Sequence, residues 1–242
     1  MLGAPLVAQV TESPRTVVPG RVLMEMDGIS LSYDRAPAAG NTHMAMAVAT
    51  TIVSTGITRT LDVQVGFQAF IRQTFDLQGV RDSRSGFGDV IVRTKWTFWQ
   101  DDRWGAAAAI MPYVKVPTNT GHVGNDEVEG GLIVPWSMAL GGSARAGAML
   151  KWDVLRNAAR EGYDSRWNVS GFSQFDLNES SALYAEATFA AVSGGFSEWK
   201  GGLGLGVMWN LTDRVQVDME WTKGLNRRTA DWINVIRLNW GF

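Results

Sequence analysis

Along most of this chain apolar and polar residues alternate one for one, the period of a strand with two unlike faces. In Val215 to Leu225, Val215, Val217, Met219 and Trp221 share one face, and Gln216, Asp218, Glu220 and Thr222 share the other. Leu61 to Ile71 repeats the arrangement, with Val63, Val65, Phe67 and Ala69 set against Asp62, Gln64, Gly66 and Gln68. In Gly201 to Leu211 the bulky residues Leu203, Leu205, Val207, Trp209 and Leu211 alternate with Gly202, Gly204, Gly206, Met208 and Asn210. The chain ends in the same rhythm, with Ile236, Leu238, Trp240 and Phe242 apolar and Arg237, Asn239 and Gly241 small or polar.

The pattern predicts twelve strands, approximately Arg21 to Tyr33, His43 to Gly56, Leu61 to Phe75, Gly88 to Phe98, Ala106 to Val116, Glu127 to Leu140, Ala144 to Leu155, Arg166 to Leu177, Ala182 to Ala191, Gly201 to Leu211, Val215 to Leu225 and Trp232 to Phe242. Their connections differ in kind. Ile57 to Thr60, Trp99 to Trp104, Gly141-Gly142, Asn178-Glu179-Ser180 and Thr212-Asp213-Arg214 are rich in turn-forming residues. Asp76 to Gly86, Pro117 to Asp126, Arg156 to Ser165 and Val192 to Lys200 read as longer loops, and Ala36 to Thr42 and Asn226 to Asp231 as shorter ones. In the first strand Glu25 and Asp27 fall in step with Leu23, Ile29 and Leu31, which requires a bulge near Gly28. In His43 to Gly56 neither face is clearly apolar.

Alternation alone does not say which face is inside. A small soluble barrel fills its interior with bulky apolar side chains. Here the face opposite the Trp-rich one carries Asp89, Arg93, Lys95, Lys115, Glu129, Arg145, Lys151, Asp153, Glu186, Asp218, Glu220 and Arg237. Turning that face inward and the apolar one toward lipid gives an all-β transmembrane antiparallel up-and-down barrel of about 12 strands, the bacterial outer-membrane type. Short turns then mark the periplasmic rim, together with both ends of the barrel, and longer loops mark the outer one.

Composition supports this orientation. A net charge of -2 and 19% charged residues do not suit a bundle of spanning helices, and no uncharged run of about 18 apolar residues occurs. A barrel tolerates that average because half its strand residues face a polar lumen. Eleven Trp and 27 Gly supply interfacial aromatics and tight turns. No cysteine is present, which removes disulfides and thiol chemistry, and the near-neutral charge argues against nucleic acid. Residues 1–18 have no strand period and read as a periplasmic arm, either folded into the lumen as a plug or loose, ahead of a single barrel domain over 19–242. Leu2 to Ala8 is a short apolar stretch without a basic flank, compatible with the stub of a signal peptide or with a mature amino terminus.

From Pro19-Gly20 to Phe242 the chain resembles the phenol-degradation meta-pathway family of outer-membrane "transporter" barrels. The resemblance rests on Pro19-Gly20-Arg21 followed by Leu23-Met24-Glu25-Met26, on Gly56-Ile57-Thr58-Arg59-Thr60-Leu61-Asp62-Val63-Gln64-Val65-Gly66, and on Ser85-Gly86-Phe87-Gly88-Asp89 running into Val92-Arg93-Thr94-Lys95-Trp96. It continues through Pro112-Tyr113-Val114-Lys115-Val116-Pro117-Thr118-Asn119 and Leu211-Thr212-Asp213-Arg214. It implies a monomeric outer-membrane channel for passive uptake of a small solute, hydrophobic or aromatic, with outer-membrane lipid around it and the assembly machinery reading its closing strand. No cofactor is expected.

In a channel, selectivity comes from lumen charge, constriction and loops. Arg72, Arg93, Lys95 and Lys115 form the candidate positive strip, extended by Arg145 and Lys151, with Glu186, Asp218 and Glu220 expected across the lumen and Arg237 beside Asp218 or Glu220. The competing reading is that these charges pair with one another and fill a narrow interior. Gly86-Phe87-Gly88-Asp89 and Gly202-Leu203-Gly204-Leu205-Gly206 lack the helix that a nucleotide-binding glycine loop needs, and the second set is expected to make room inside the wall. Two readings from other classes remain: a lipid hydrolase using His43 or His122, and a closed barrel that holds a ligand or is purely structural. Asp126, Glu127 and Glu129 are candidate Ca²⁺ ligands in a loop whose ordinary state is solvated.

Overall fold

The structure is a computed structural model that describes residues 11–36, 41–77, 79–124, 126–157, 161–192 and 195–242. Its strands are β1 (Val22–Ala36), β2 (Asn41–Gly56), β3 (Leu61–Leu77), β4 (Val80–Gly86), β5 (Val90–Asp101), β6 (Ala106–Val116), β7 (Glu129–Gly141), β8 (Ala144–Arg156), β9 (Tyr163–Asn178), β10 (Ser181–Val192), β11 (Gly195–Thr212), β12 (Val215–Gly224) and β13 (Trp232–Gly241). Every pairing is antiparallel to a sequence neighbour except two. The last strand closes on the first, from Leu23↔Gly241 to Tyr33↔Trp232. β3 pairs with β4 over Ile71↔Gly86 to Leu77↔Val80 and with β5 over Leu61↔Trp96 to Gly66↔Ile91. β4 and β5 are therefore the upper and lower parts of one stave, and thirteen strands make a closed ring of twelve staves.

The ring is inside out relative to a soluble barrel. Leu205, Leu211, Met219, Trp221, Ile236 and Trp240 are exposed on its outer face, while Asp62, Gln64, Asp153, Asp218, Glu220 and Arg237 are buried. In water this arrangement would leave dozens of apolar side chains hydrated. In a bilayer the outer face meets lipid and closure leaves no strand edge to satisfy. Aromatic pairs gather toward both rims. Trp240 and Phe242 have ring centroids 4.3 Å apart at one, and Trp221 and Trp232 lie 4.5 Å apart, with Trp152 beside Trp167, at the other. The chain is a transmembrane β-barrel of the outer-membrane type.

Two sequence expectations need correction. Asp76 to Gly86, read as a loop, is a hairpin in which β4 extends the edge of β3. Val80 to Ser85 are exposed throughout, so no burial forces them to alternate and no period marks the strand. Likewise β10 and β11 run on to Val192 and from Gly195, shortening the loop expected over Val192 to Lys200. The expected bulge in β1 is present as a register shift against β13 between Asp27 and Ile29.

The irregularity continues across the wall. Ala49 in β2 has φ of 52°, in the left-handed region that costs an L-residue about 1 kcal/mol or more. Buried positions in β2 are Ala45, Ala47 and Thr51 in its first part but Ser54 and Gly56 toward its end, a change of parity. β3 changes with it, from Asp62, Gln64 and Gly66 to Ile71, Gln73 and Phe75. Each strand thus has its two faces exchanged halfway, which is why β2 has no consistently apolar face.

Candidate functional site

The site is the lumen. Residues Thr11 to Val18 enter it from the rim where β1 begins. Pro19 bridges Gly56, the Val17 N–H donates to Asp62 Oδ2 at 3.1 Å, and the Thr16 hydroxyl donates to the Arg59 carbonyl at 2.9 Å. A Cβ on Gly56 would overlap the Val17 carbonyl, so only glycine lets the arm pass this close. Further in, Lys95 Nζ donates to the Arg15 carbonyl at 3.2 Å and the Thr97 hydroxyl to the Pro14 carbonyl at 2.6 Å. Arg93 then grips Glu12 with both terminal nitrogens, at 2.6 and 3.2 Å, the bidentate geometry that makes guanidinium–carboxylate pairs strong. Finally the Thr11 N–H donates to Glu186 Oε1 at 2.8 Å, and its hydroxyl meets that of Ser170.

That path crosses the barrel. β5, which carries Arg93 and Lys95, is the fourth stave, and β10 to β12, which carry Glu186, Asp218 and Glu220, are the ninth to eleventh. In a ring of twelve these face one another. The arm joins a basic wall to an acidic one, with Glu12 on the first and the Thr11 amide on the second.

The remaining lumen charges form compact clusters. Arg237, 5% exposed, donates from Nε to Asp27 at 2.7 Å and from Nη1 to Asp218 at 2.9 Å. The Tyr184 hydroxyl sits within hydrogen-bond distance of Asp218 and Glu220, and Thr222 donates to Glu220 at 3.0 Å. Asp153, fully buried, collects Tyr113, Arg166, Asn168 and Lys151. Lys115 lies 2.7 Å from Asp89 and 3.0 Å from Glu129. Burying a charge without a partner costs several kcal/mol, so pairing of this kind is what allows ions to fill the interior. Arg145, at the short-turn mouth, reaches Asp176 at 3.2 Å and is largely exposed.

Arg72 is the exception among the expected lumen residues. It shares even parity with Asp62 and Gln64, but the exchange of faces in β3 puts Ile71, Gln73 and Phe75 inside and leaves Arg72 exposed on the outer face. The positive wall is therefore Arg93, Lys95 and Lys115. Glu12, Asp27, Asp62, Asp153 and Tyr184 were not among the expected site residues. Asp62 stood on the polar face of β3, and Glu12 had no periodic pattern to mark it.

The glycines of β11 do make room. A Cβ on Gly206 would overlap the Tyr184 ring, one on Gly204 would lie 2.6 Å from Glu220 Oε1, and one on Gly202 would lie 2.9 Å from Thr222 Cγ2. Toward the outer mouth the loop after β6 folds inward. Val123 packs with Ala47 and Ile71, while Thr120 and Phe87 exchange two hydrogen bonds and Asn119 donates to Asp89. Among the described residues no three His, Asp or Glu side chains converge as metal ligands. His43 stacks on Phe75, with centroids 4.5 Å apart, and exposed His122 has Asp126 at 3.9 Å.

A closed, lipid-facing ring with a charged interior crossed by its own amino-terminal arm defines a β-barrel of the outer-membrane type. The chain belongs to the family described as "Putative MetA-pathway of phenol degradation", which matches residues 8–240. Among solved structures it is similar to an outer membrane channel from Pseudomonas putida F1, with TM-score 0.70 and 10% identity, covering 95% of this chain and 98% of that one. The NanC porin (TM-score 0.54, 11% identity, 89% and 97% covered) and the CymD monoaromatic hydrocarbon channel (0.52, 10%, 93% and 88%) share the architecture. Comparison with curated proteins finds no match.

Proposed function

We propose that the barrel is a passive outer-membrane channel for a small hydrophobic or aromatic solute, and that residues 11–18 act as its constriction. The observation that carries the reading is the arm itself. It occupies the lumen through hydrogen bonds and one ion pair, contacts that can break and reform, and beneath it a cavity of about 460 Å³ remains. Family membership supports the channel reading, and CymD, of the same architecture, is a monoaromatic hydrocarbon channel. The enzyme reading lacks support, because among the described residues neither histidine is hydrogen-bonded to a serine, the arrangement that nucleophile activation requires. The closing strand, ending in Trp240, Gly241 and Phe242, is the segment we expect the assembly machinery to bind.

The neutralised clusters favour one second reading, a closed barrel that holds a ligand without conducting. Single-channel recording in planar bilayers separates the two. The full chain should conduct weakly, and a chain lacking residues 1–18 should conduct severalfold better. Silence from both, with normal heat-modifiable migration, would leave the closed barrel.

A further inference from the structure

The cavity beneath the arm has a composition of its own. It lies between the arm and the periplasmic ends of β7 to β11, and about 460 Å³ is within the range of small-molecule sites. Two arginines are in its lining, Arg15 on the arm and Arg145 on β8. Arg15 donates to the Gly105 carbonyl at 2.8 Å and, among the described residues, has no carboxylate partner. Arg145 spends one nitrogen on Asp176. Glu186 is the acidic group in the lining, but it is 4% exposed and already receives the Thr11 N–H. The charge offered to a bound molecule is therefore positive.

The other part of the lining is apolar. Met208, on the inward face of β11 with Gly204 and Gly206, contributes a flexible apolar side chain of the kind that packs favourably against ring edges. Phe172 contributes a ring, and its placement is built in. A Cβ on Gly147 of β8 would overlap the Phe172 ring, so the glycine lets that ring lie against the wall with its other face toward the cavity.

Resting on the channel reading, we infer that this cavity is a periplasmic-side binding site for a small aromatic carboxylate, its ring against Phe172 and Met208 and its carboxylate drawn to Arg15 and Arg145. A neutral hydrocarbon would fill the apolar side and make no use of the two cations. A small aliphatic acid would satisfy the cations and leave the ring pocket wet. An aromatic acid satisfies both sides, so the site discriminates by charge at the last step before the periplasm.

The test is titration of the full detergent-folded chain with benzoate, benzamide and acetate by calorimetry. Benzoate should bind at least tenfold more tightly than the other two. Arg145→Gln, at an exposed position that folding tolerates, should weaken benzoate at least fivefold and leave benzamide unchanged, with Arg145→Lys recovering part of the loss. Phe172→Leu should weaken benzoate and leave acetate unchanged. Equal binding of benzoate and benzamide, or benzoate binding indifferent to Arg15→Gln combined with Arg145→Gln, would overturn the assignment. A barrel that conducts but binds no benzoate loses this site and remains a channel. One that binds benzoate and never conducts keeps the site and loses the channel.

Discussion

Arg237 Nε donates to Asp27 Oδ1 at 2.7 Å across the seam where β13 meets β1. The pair joins the closing strand to the opening one, directly opposite in register and next to the bulge at Gly28. Asp218 on β12 takes the other side of the guanidinium, so one cation holds three consecutive staves together.

Removing that cation leaves two buried carboxylates without it. Arg237→Gln should destabilise the folded barrel by about 3–5 kcal/mol, the cost of breaking a buried pair from one side. Adding Asp27→Asn and Asp218→Asn should recover much of the loss, since the carboxylates that suffer are then neutral. Urea unfolding in detergent, followed by tryptophan fluorescence, measures both. A triple variant as unstable as Arg237→Gln alone would mean that packing, not charge, holds the seam.

Glu12 covers Arg93, so the basic wall is masked while the arm occupies the lumen. Glu12→Gln should make the pore more anion-selective and raise its conductance, read as a shifted reversal potential under a KCl gradient. Arg93→Glu should act in two ways, reversing the wall charge and repelling Glu12. It should therefore open the pore toward cations more than Lys95→Glu does, because Arg93 grips Glu12 through two hydrogen bonds whereas Lys95 donates to the Arg15 carbonyl. Identical reversal potentials for wild type and Glu12→Gln would reduce these ions to wall filling.

The alternation along the chain carries most of this architecture. A lipid-facing strand must be apolar at every second position, so β3 below its kink, β11, β12 and β13 declare themselves, and Arg237 finds Asp218 by simple alternation. The sequence is silent where no face is forced. Val80 to Ser85 project beyond the apolar belt and are wet on both sides, and the arm obeys no period. It misleads where two strands exchange faces together. Arg72 shares the parity of Asp62 but not its face, because the wall turns over between them. Only Ala49, with its left-handed backbone, records that turn, and alanine gives no sign of it in a sequence.

Gly206 and Tyr184 are one unit, since the ring fills the space a side chain would take. Gly206→Ala should destabilise the barrel by roughly 1–3 kcal/mol, the usual cost of overpacking. Tyr184→Ala should cost a similar amount by leaving a void and removing a donor from Asp218 and Glu220. Together they should cost less than their sum, because the new methyl group enters the space the ring has left. Strict additivity in a double-mutant cycle would mean that the two positions do not share that space.

The orientation of the ring has a test that depends on depth. Leu205 and Leu211 lie on the outer face of β11 and are equally exposed, 60% and 63%, so in water they would be equivalent. At a strand rise of about 3.3 Å per residue and a tilt of about 40°, Leu205 sits roughly 15 Å further from the periplasmic rim than Leu211. That is close to the middle of an apolar belt about 25 Å tall. Leu205→Arg should therefore cost about 2–4 kcal/mol and Leu211→Arg about 0–1 kcal/mol, because an arginine at the rim can extend its guanidinium to the headgroups. Reversible unfolding in phospholipid vesicles measures the difference directly. Equal penalties at the two sites would mean that the outer face of β11 does not span a bilayer, and the inside-out reading of the whole ring would fall with it.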